Sequence, residues 1–178
     1  MTAAVRRPEA FAPTIHDVAD FESGEATLDL WLQRFAGQNQ RRDAARTFVA
    51  TADGRTVIAY YTLVAGQLDH EDATAVVRRG LSQHFPIPVA LLARLAVDRR
   101  HHGRGIGAGL LLDAMERVLL ASEHVATRAI VVNAISEQAA AFYSHHGFRP
   151  LARDPRTLMV HLGEVRDALS PPPAPAAR

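Results

Sequence analysis

The sequence predicts an α/β fold, a single domain in which a mixed central β-sheet carries helices on both faces. Three observations lead to this prediction. Strand-like and helix-like segments alternate, a glycine-rich turn joins a buried strand to a helix, and the order of elements needs one crossover connection. Of the 178 residues, 48% are hydrophobic, which is enough to bury a sizeable core.

The first half of the domain is predicted to supply a helix and a β-hairpin. Ser23 is expected to cap the helix, whose large apolar residues recur at helical spacing and should face the core. Asp53-Gly54 is a hairpin signal between two β-rich runs. The core-facing helical residues are Leu28, Trp31, Leu32 and Phe35, and the two strands are Thr47–Thr51 and Val57–Ala65.

The second half alternates buried strands with helices. Val89–Val97 is a nearly continuous apolar run, which is typical of a central buried strand. A short helix around Ala73–Leu81 precedes it. The later elements are a helix from about Gly107 to Ala121 with core residues Leu110, Leu111, Ala114, Met115 and Val118, a strand at Ala129–Asn133, a helix at Glu137–His146 ended by Gly147, and strands at Phe148–Pro150 and Thr157–Leu162.

Composition excludes several classes of protein. No stretch approaches eighteen consecutive apolar residues and the N-terminus lacks an apolar signal core, so we expect no membrane span, no export and a cytoplasmic location. The absence of cysteine excludes disulfides, thiolate metal sites and a cysteine nucleophile, and the histidines show no zinc spacing. We place the domain at residues 14–165 and expect flexible tails at residues 1–13 and 170–178.

The net charge of +1 is unevenly distributed. Residues 1–33 carry −4, residues 34–104 carry +5, and residues 105–178 are balanced. Every basic residue other than histidine is arginine. Codon usage in a GC-rich genome explains the lack of lysine, and so does the match between the planar guanidinium and phosphate. The basic middle of the chain is the more informative feature, because it adjoins the glycine-rich turn.

The glycine-rich turn carries the strongest chemical signal. Gly103, Gly105 and Gly107 follow the buried strand and open a helix, where unpaired N–H groups and the helix dipole attract phosphate. The spacing lies mid-chain and no suitable acidic residue follows, which argues against a dinucleotide fingerprint. The Gly-Lys-Ser/Thr of a P-loop is missing. A tight turn without a ligand remains the alternative.

His102-Gly103-Arg104-Gly105-Ile106-Gly107 resembles the signature of the GNAT acetyltransferase superfamily, Gln/Arg-x-x-Gly-x-Gly/Ala, with histidine in the first position. The resemblance implies acetyl-coenzyme A as co-substrate and no metal. It implies that the pyrophosphate lies on the amides of Arg104 to Ala108 and that the pantetheine pairs with the main chain of Leu95 and Val97. The cofactor-binding residues implied are Leu95, Ala96, Val97, His102, Gly103, Arg104, Gly105, Ile106, Gly107, Ala108 and Ser136.

A second stretch, Ser136–Phe148, looks like the other GNAT landmark, a helix that bears Ala…Phe-Tyr…Gly-Phe. Members of the family often have asparagine where Ser136 stands. The resemblance makes Tyr143 the candidate catalytic residue, because a positioned phenol can protonate the thiolate that leaves during acetyl transfer. The alternative is that Tyr143 is only a packing aromatic.

A narrower resemblance covers roughly residues 20–162. Its segments are Phe21–Glu25, Trp31-Leu32, Gln38–Asp43, Pro86–Pro88 and Arg94–Asp98. Together they resemble the GNAT toxins of toxin–antitoxin modules, which acetylate the amino group of aminoacyl-tRNA. The resemblance implies aminoacyl-tRNA as substrate, a ribbon-helix-helix antitoxin as partner, and a homodimer.

The chemistry of the acceptor agrees with that branch. An α-amine has a pKa near 7.7–8.0, against about 10.4 for lysine, so much of it is neutral without a catalytic base. The strand Val89–Val97 offers no carboxylate that could act as a base. Arg94, charged within an apolar strand, is expected to face the active-site cleft. The predicted tRNA-binding residues are Arg41, Arg42, Arg78, Arg79, Arg94 and Arg99, with Arg100 beside them, although scattered solvated arginines are the alternative.

Two other functions stay open at this point. One is a GNAT enzyme that acetylates a small-molecule amine or a protein N-terminus, and the other is a non-catalytic module that keeps the fold and binds nucleic acid or a partner. The phosphate-type turn and Tyr143 together disfavour the non-catalytic module.

Overall fold

The computed structural model describes residues 5–170. Within this range seven strands form one mixed sheet, and helices cover both of its faces. The strands are β1 (Glu9–Ala10), β2 (Arg46–Thr51), β3 (Val57–Leu68), β4 (Ile87–Val97), β5 (Ala129–Asn133), β6 (Arg149–Leu151) and β7 (Asp154–His161). The helices are α1 (Ala26–Leu30), α2 (Ala36–Arg41), α3 (Ala75–Arg78), α4 (Ile106–Ala121), α5 (Glu137–His145) and α6 (Leu162–Leu169), with a π-helical turn at Trp31–Phe35 and 3₁₀ turns at His70–Asp72 and Arg99–His101.

The strand order is β1-β2-β3-β4-β5-β7-β6, in which β4 and β5 are parallel and the other neighbours antiparallel. Residues directly opposite each other share a face of the sheet. Tyr60 of β3 lies opposite Ala96 of β4, and both pack against the α1–α2 region. Tyr61 lies opposite Leu95, and both pack on the side of α4. The predicted α/β class with helices on both faces is therefore confirmed.

The two faces have separate apolar cores. On one face α4 buries Leu110, Leu111, Ala114 and Val118, as predicted, while Met115 is only half-buried. Helices α5 and α6 join the same core. On the other face α1 and α2 pack over β2–β4, and α3 packs over β4, β5 and β7. The sheet thus separates the α4–α5 side from the α1–α3 side.

The first helix departs from the predicted pattern in two ways. Ser23 is not its N-cap, since the helix begins after Glu25 and the Ser23 hydroxyl instead donates to Asp29 at 2.6 Å. Leu28 and Leu32 are buried as predicted, but Phe35 is 44% exposed and Ala36 is fully buried. The π-helical turn accommodates an extra residue, so Ala36 rather than Phe35 continues the buried stripe.

The fold begins before residue 14, where the sequence placed the start of the domain. Glu9–Ala10 already pairs with β2, and Phe11 is buried against the α1–α2 side. Arg7 donates to Asp113 of α4 at 3.0 Å and to Glu116 at 2.8 Å. The prediction of a tail at residues 5–13 is therefore wrong, because ion pairs and a strand tie this segment down. Residues 1–4 lie outside the described residues.

The fold also extends past residue 165. Helix α6 runs from Leu162 to Leu169, and it buries Leu162 and Val165 in the core on the α4 side. A capping box between His161 and Glu164 starts it. The sequence did not predict this helix, because histidine is an uncommon capping residue. Of the predicted tail at 170–178, residues 171–178 lie outside the described residues. No helix within 5–170 is long and apolar enough to cross a membrane.

Asp113 is a buried carboxylate that holds the N-terminal segment against α4. The hydroxyl of Tyr61 donates to it at 2.5 Å, Arg117 at 2.8 Å and Arg7 at 3.0 Å. Burial raises the pKa of Asp113, but the three hydrogen bonds outweigh burial and leave the pKa below its usual value. Because the folded pKa is lowered, this stabilisation is present above about pH 4 and is lost as the pH falls through the folded pKa.

Asp113→Asn is expected to lower the free energy of unfolding at pH 7 by about 2–3 kcal/mol, because two guanidinium groups lose their buried counter-charge. The measurement is thermal unfolding at pH 7 and pH 3.5. The difference in free energy of unfolding between wild type and Asp113→Asn should be smaller at the lower pH. Glu116→Gln is the matched control, since Glu116 pairs with Arg7 but its side chain is 40% exposed. Equal losses in both variants would contradict the role of burial.

Candidate active site

The sheet opens between β4 and β5. The two strands pair only from Val89–Ala129 to Leu92–Val132. A bulge in the β3–β4 ladder falls at Ala93, because Thr62 pairs with Arg94 and Leu63 pairs with Leu92. From Ala93 to Val97 the main chain of β4 therefore pairs with β3 alone, and its other edge is free for an extended ligand.

The glycine-rich turn lies at the end of this open edge. Gly103 and Gly105 have φ of +73° and +74°, in the left-handed region that favours glycine. A Cβ on Gly105 would meet no atom within 4 Å, so the turn presents bare backbone outward. The first hydrogen bond of α4 runs from Gly109 N–H to Gly105 C=O, which leaves the preceding N–H groups unpaired within the described residues.

His102 ties the turn to the strand. Its Nε2–H donates to the main-chain oxygen of Val97 at 2.7 Å. A cavity of about 210 Å³ lies between the open edge and the turn, lined by Leu95 to Val97 and by Gly105 to Gly107. The histidine found in place of Gln or Arg thus has a structural contact of its own, and its ring lines the cavity as well.

The residues present fit a coenzyme A thioester. A pantetheine arm can pair with the open edge at Leu95 and Val97, and a pyrophosphate can accept from the free amides at Arg104–Ala108. Ala96 offers only its main chain, because its side chain is buried on the α1–α2 side. The Ser136 hydroxyl accepts from Ala139 N–H at 3.1 Å and so caps α5, which is a structural role.

Tyr143 projects from α5 into the gap between β4 and β5. Its ring is 8% exposed and packs edge-on against Phe142 and Phe148 at 5.2 Å and 5.6 Å. Burial raises the pKa of Tyr143 to about 12, so the phenol keeps its proton throughout the physiological range. A small cavity of about 60 Å³ is lined by Tyr143 together with Leu95 and Asn133. A phenol placed there is suited to donate a proton.

Arg94 lines the same cavity from the opposite face of the sheet. It lies opposite Thr62, two residues before Ala96, and therefore points to the α1–α2 side. Its guanidinium carbon stacks 3.6 Å from the centroid of the Trp31 ring. The gap thus joins the α4–α5 side to the α1–α2 side, and the predicted position of Arg94 at the cleft agrees with the geometry.

No carboxylate lines this cavity within residues 5–170. The nearest acid along β4 is Asp98, which is fully buried and accepts two hydrogen bonds from the Arg100 side chain, at 2.8 Å and 2.6 Å. Hydrogen bonds from Arg100 hold the pKa of Asp98 far below its usual value, even though burial opposes them. Asp98 is therefore a fixed anion that anchors the turn and is unsuited to act as a base.

The other predicted arginines fall into two groups. Arg99 pairs with Glu22 at 2.7 Å and Arg100 pairs with Asp98, so both have structural partners. The remainder, which are Arg41, Arg42, Arg78, Arg79 and Arg94, make no ion pair with a carboxylate within the described residues. Helices α2 and α3, which end in these pairs, lie on the same face as Arg94.

Three residues of the cleft were not predicted to contribute to it. Asn133, the last residue of β5, and Ile135, just beyond it, reach the cavity because β5 no longer pairs with β4 at this point. Trp31 was predicted to be a core residue, and its contact with Arg94 depends on the three-dimensional fold. Helical spacing alone cannot distinguish a core tryptophan from one that stacks on a charged group. Among residues 5–170 no cluster of three or more His, Asp or Glu side chains could hold a metal.

Comparison with known proteins identifies the family of this chain. The profile of the "Acetyltransferase (GNAT) domain" matches residues 43–150. The "tRNA-acetylating toxin" of Mycobacterium tuberculosis (strain ATCC 25618 / H37Rv) is 43% identical over 150 residues, which are 84% of this chain and 89% of that protein.

Two solved structures have the same fold. AtaT complexed with acetyl-methionyl-tRNAfMet superposes with a TM-score of 0.84 at 26% identity, over 94% of this chain and 100% of that one. A tyrosine-to-phenylalanine mutant of AtaT, bound to the C-terminus of the antitoxin AtaR and acetyl-CoA, gives a TM-score of 0.80 at 27% identity, over 94% and 99% of the two chains. With its open β4 edge, glycine-rich turn and matching profile, the chain belongs to the GNAT acetyltransferase family.

Proposed function

We propose that this protein transfers the acetyl group of acetyl-CoA to the α-amino group of aminoacyl-tRNA, and that it acts as a toxin by blocking translation. The observation that carries the proposal is the gap between β4 and β5. It joins the open edge of β4 and Tyr143 on one face to Arg94 on the other, and no carboxylate lines it within residues 5–170. The 43% identity to a tRNA-acetylating toxin supports the same acceptor.

In this reaction the main chain at Leu95 and Val97 holds the thioester arm along β4, and the amides of Arg104–Ala108 hold the phosphates. Acetyl-CoA, when bound, supplies an activated acyl group. Tyr143 donates its proton to the departing thiolate sulfur, since the buried phenol stays protonated at neutral pH. The acceptor amine approaches from the α1–α2 side, past Arg94 and Trp31.

No carboxylate among the described residues lines the cleft to act as a base, which is compatible with an acceptor that is an α-amine next to an ester. The pKa of an α-amine lies near 7.7–8.0 and the ester lowers it further, so a neutral nucleophile is available near pH 7 without a protein base. A lysine acceptor, with a pKa near 10.4, would need a base, and no carboxylate in the part of the chain that the structure describes lines the cleft. The cleft therefore favours aminoacyl esters over protein lysines.

We further propose a ribbon-helix-helix antitoxin as partner, a homodimer as the assembly, and the cytoplasm as location. The AtaT toxin bound to the C-terminus of AtaR supports an antitoxin partner. The domain we propose to act in this way begins at residue 9 and ends at residue 169, wider than the span predicted from sequence.

The proposed acceptor is tested by incubating the protein with radiolabelled acetyl-CoA and total charged tRNA, with deacylated tRNA as the control. Label should enter the charged tRNA alone and should be released when mild base hydrolyses the aminoacyl ester. Label in the deacylated tRNA, or labelling of small amines but not of charged tRNA, would reject aminoacyl-tRNA as the acceptor.

Binding of tRNA is expected to depend steeply on salt. Arginines that contact phosphates release counterions, so a plot of log Kobs against log salt should have a slope of roughly −3 or steeper. Replacing Arg41 and Arg42 together by glutamine should reduce that slope by about 1–2. Arg149→Gln is the control, because Arg149 is paired with Glu164 at 2.6 Å. A flat plot for wild type would contradict a phosphate-binding surface.

A further inference from the structure

Three side chains form a row of successive contacts on the α1–α2 side of the cleft. The rings of Phe35 and Trp31 have centroids 6.2 Å apart with a tilt of 32°. The guanidinium carbon of Arg94 lies 3.6 Å from the centroid of Trp31. The row therefore runs from Phe35, which is 44% exposed, to Arg94, which lines the cavity shared with Tyr143. We call these three residues the aromatic row.

The backbone places Phe35 outside the core. The π-helical turn at Trp31–Phe35 shifts the buried stripe to Ala36, which leaves a large aromatic ring at the surface. Such π-helical turns are rare and frequently mark functional sites. The exposed ring of Phe35 is distinguished from other exposed apolar residues by its contact with Trp31, which in turn contacts Arg94 at the cleft.

Arg94 adds an unneutralised charge at the inner end of the row. Burial lowers its pKa, yet a guanidinium remains charged at any physiological pH. It faces uncharged Thr62 across the β3–β4 ladder and an indole ring above it, and no carboxylate pairs with it within the described residues. By contrast, Arg99 and Arg100 on the adjoining turn both have acidic partners.

We propose that the aromatic row is a stacking platform for the unpaired nucleotides at the 3′ end of the tRNA, with Arg94 binding a phosphate or the terminal base. This inference rests on the proposed function and names the part of the substrate that the site recognises. Unpaired RNA is typically bound by stacking its bases on aromatic rings or on guanidinium planes. A row that leads from the surface to Tyr143 would deliver the aminoacyl end to the acetyl group.

Phe35→Ala provides the test. We expect kcat/KM for charged tRNA to fall by roughly 10-fold or more, because stacking of one base is lost. With an amino-acid methyl ester, which carries the ester and the α-amine but no nucleotide, kcat/KM should stay within about twofold of wild type. Phe85→Ala is the matched control, since Phe85 is 71% exposed and lies before β4, away from the cleft. It should leave both substrates unaffected.

The charged end of the row is tested in the same assay. Arg94→Gln should lower kcat/KM for charged tRNA by a larger factor than for the methyl ester, and Arg94→Lys should recover only part of the loss with charged tRNA, because lysine keeps the charge without the planar stack. Melting temperatures establish that each variant is folded.

The outcomes separate the two proposals. If wild type fails to acetylate charged tRNA at all, the proposed function is rejected. If wild type acetylates it and Phe35→Ala matches wild type, the platform is rejected and the proposed function stands. Equal losses with charged tRNA and methyl ester would assign the row to shaping the cleft, which also overturns the platform. Unchanged acetylation with weaker antitoxin binding would make the row a protein interface and would overturn it too.

Discussion

Replacement of Tyr143 by phenylalanine is expected to lower the rate of acetyl transfer by roughly 10²–10⁴-fold, while the fold and the affinity for acetyl-CoA change little. Phenylalanine keeps the ring and its contacts with Phe142 and Phe148 but removes the acidic proton. Burial of the ring raises the pKa of Tyr143, and within residues 5–170 its hydroxyl makes no hydrogen bond that this variant would remove. The measurement is single-turnover acetylation of charged tRNA, with melting temperatures recorded in parallel.

A second tyrosine offers the matched control. Tyr61 is fully buried on β3, its hydroxyl donates to Asp113 of α4 at 2.5 Å, and it does not line the cavity that Tyr143 lines. Tyr61→Phe should lower the melting temperature and leave turnover near that of wild type, which is the opposite of the result expected for Tyr143→Phe. A folded Tyr143→Phe protein with wild-type turnover would remove Tyr143 from the mechanism and leave water or a histidine as the proton source.

Gly105→Asp is expected to weaken acetyl-CoA binding by about 100-fold or more. The position has φ of +74°, which aspartate tolerates better than most residues, and a Cβ there meets no protein atom within 4 Å. The new carboxylate would therefore project outward at the free amides of the turn. At about 5 Å from a phosphate charge and an effective dielectric constant near 20, repulsion costs about 3 kcal/mol. Calorimetric titration with acetyl-CoA measures the effect.

Two further variants separate charge from backbone strain. Gly105→Asn has nearly the same shape and conformational cost but no charge, so it should lose much less affinity than the aspartate. Gly80→Asp introduces the same charge at a glycine with φ of +75° and equally open surroundings, beyond α3. It should bind acetyl-CoA like wild type. Unchanged affinity in a folded Gly105→Asp protein would falsify the assignment of the phosphate site.

The sequence was sufficient to predict those elements whose structure is determined by a local pattern of residues. The run Val89–Val97, the glycines from Gly103 to Gly107 and the spacing of α4 predicted a strand, a turn and a helix that the structure contains. The same reasoning failed at Phe35, because a π-helical turn changes which residue faces the core and has no signature in hydrophobic spacing. Predictions from hydrophobic periodicity assume the geometry of a regular α-helix, and they fail where a π-helical turn changes that geometry.

Contacts between segments that are distant in sequence were the second kind of feature that could not be predicted. The pairing of Arg7 with Asp113 joins residues more than 100 positions apart, so the N-terminal segment looked like a tail although it is strapped to α4. The separation of β4 from β5 beyond Leu92 likewise depends on the bulge at Ala93 and on strand register. That separation brings Arg94 and Tyr143 together through the sheet. The sequence was sufficient to propose both residues as site residues, but it did not predict the gap between β4 and β5 that connects them.

The identity of the acetylated atom tests the central claim most directly. After incubation of wild-type protein with acetyl-CoA and charged tRNA, nuclease digestion releases the terminal aminoacyl-adenosine, whose fragments are identified by mass spectrometry. We expect the acetyl group on the α-amino nitrogen of the amino acid, and we expect no such product from the folded Tyr143→Phe protein in the same time. An acetyl group on a nucleobase or ribose, or none on aminoacyl-adenosine while a small amine or protein N-terminus is acetylated, would contradict the proposed function.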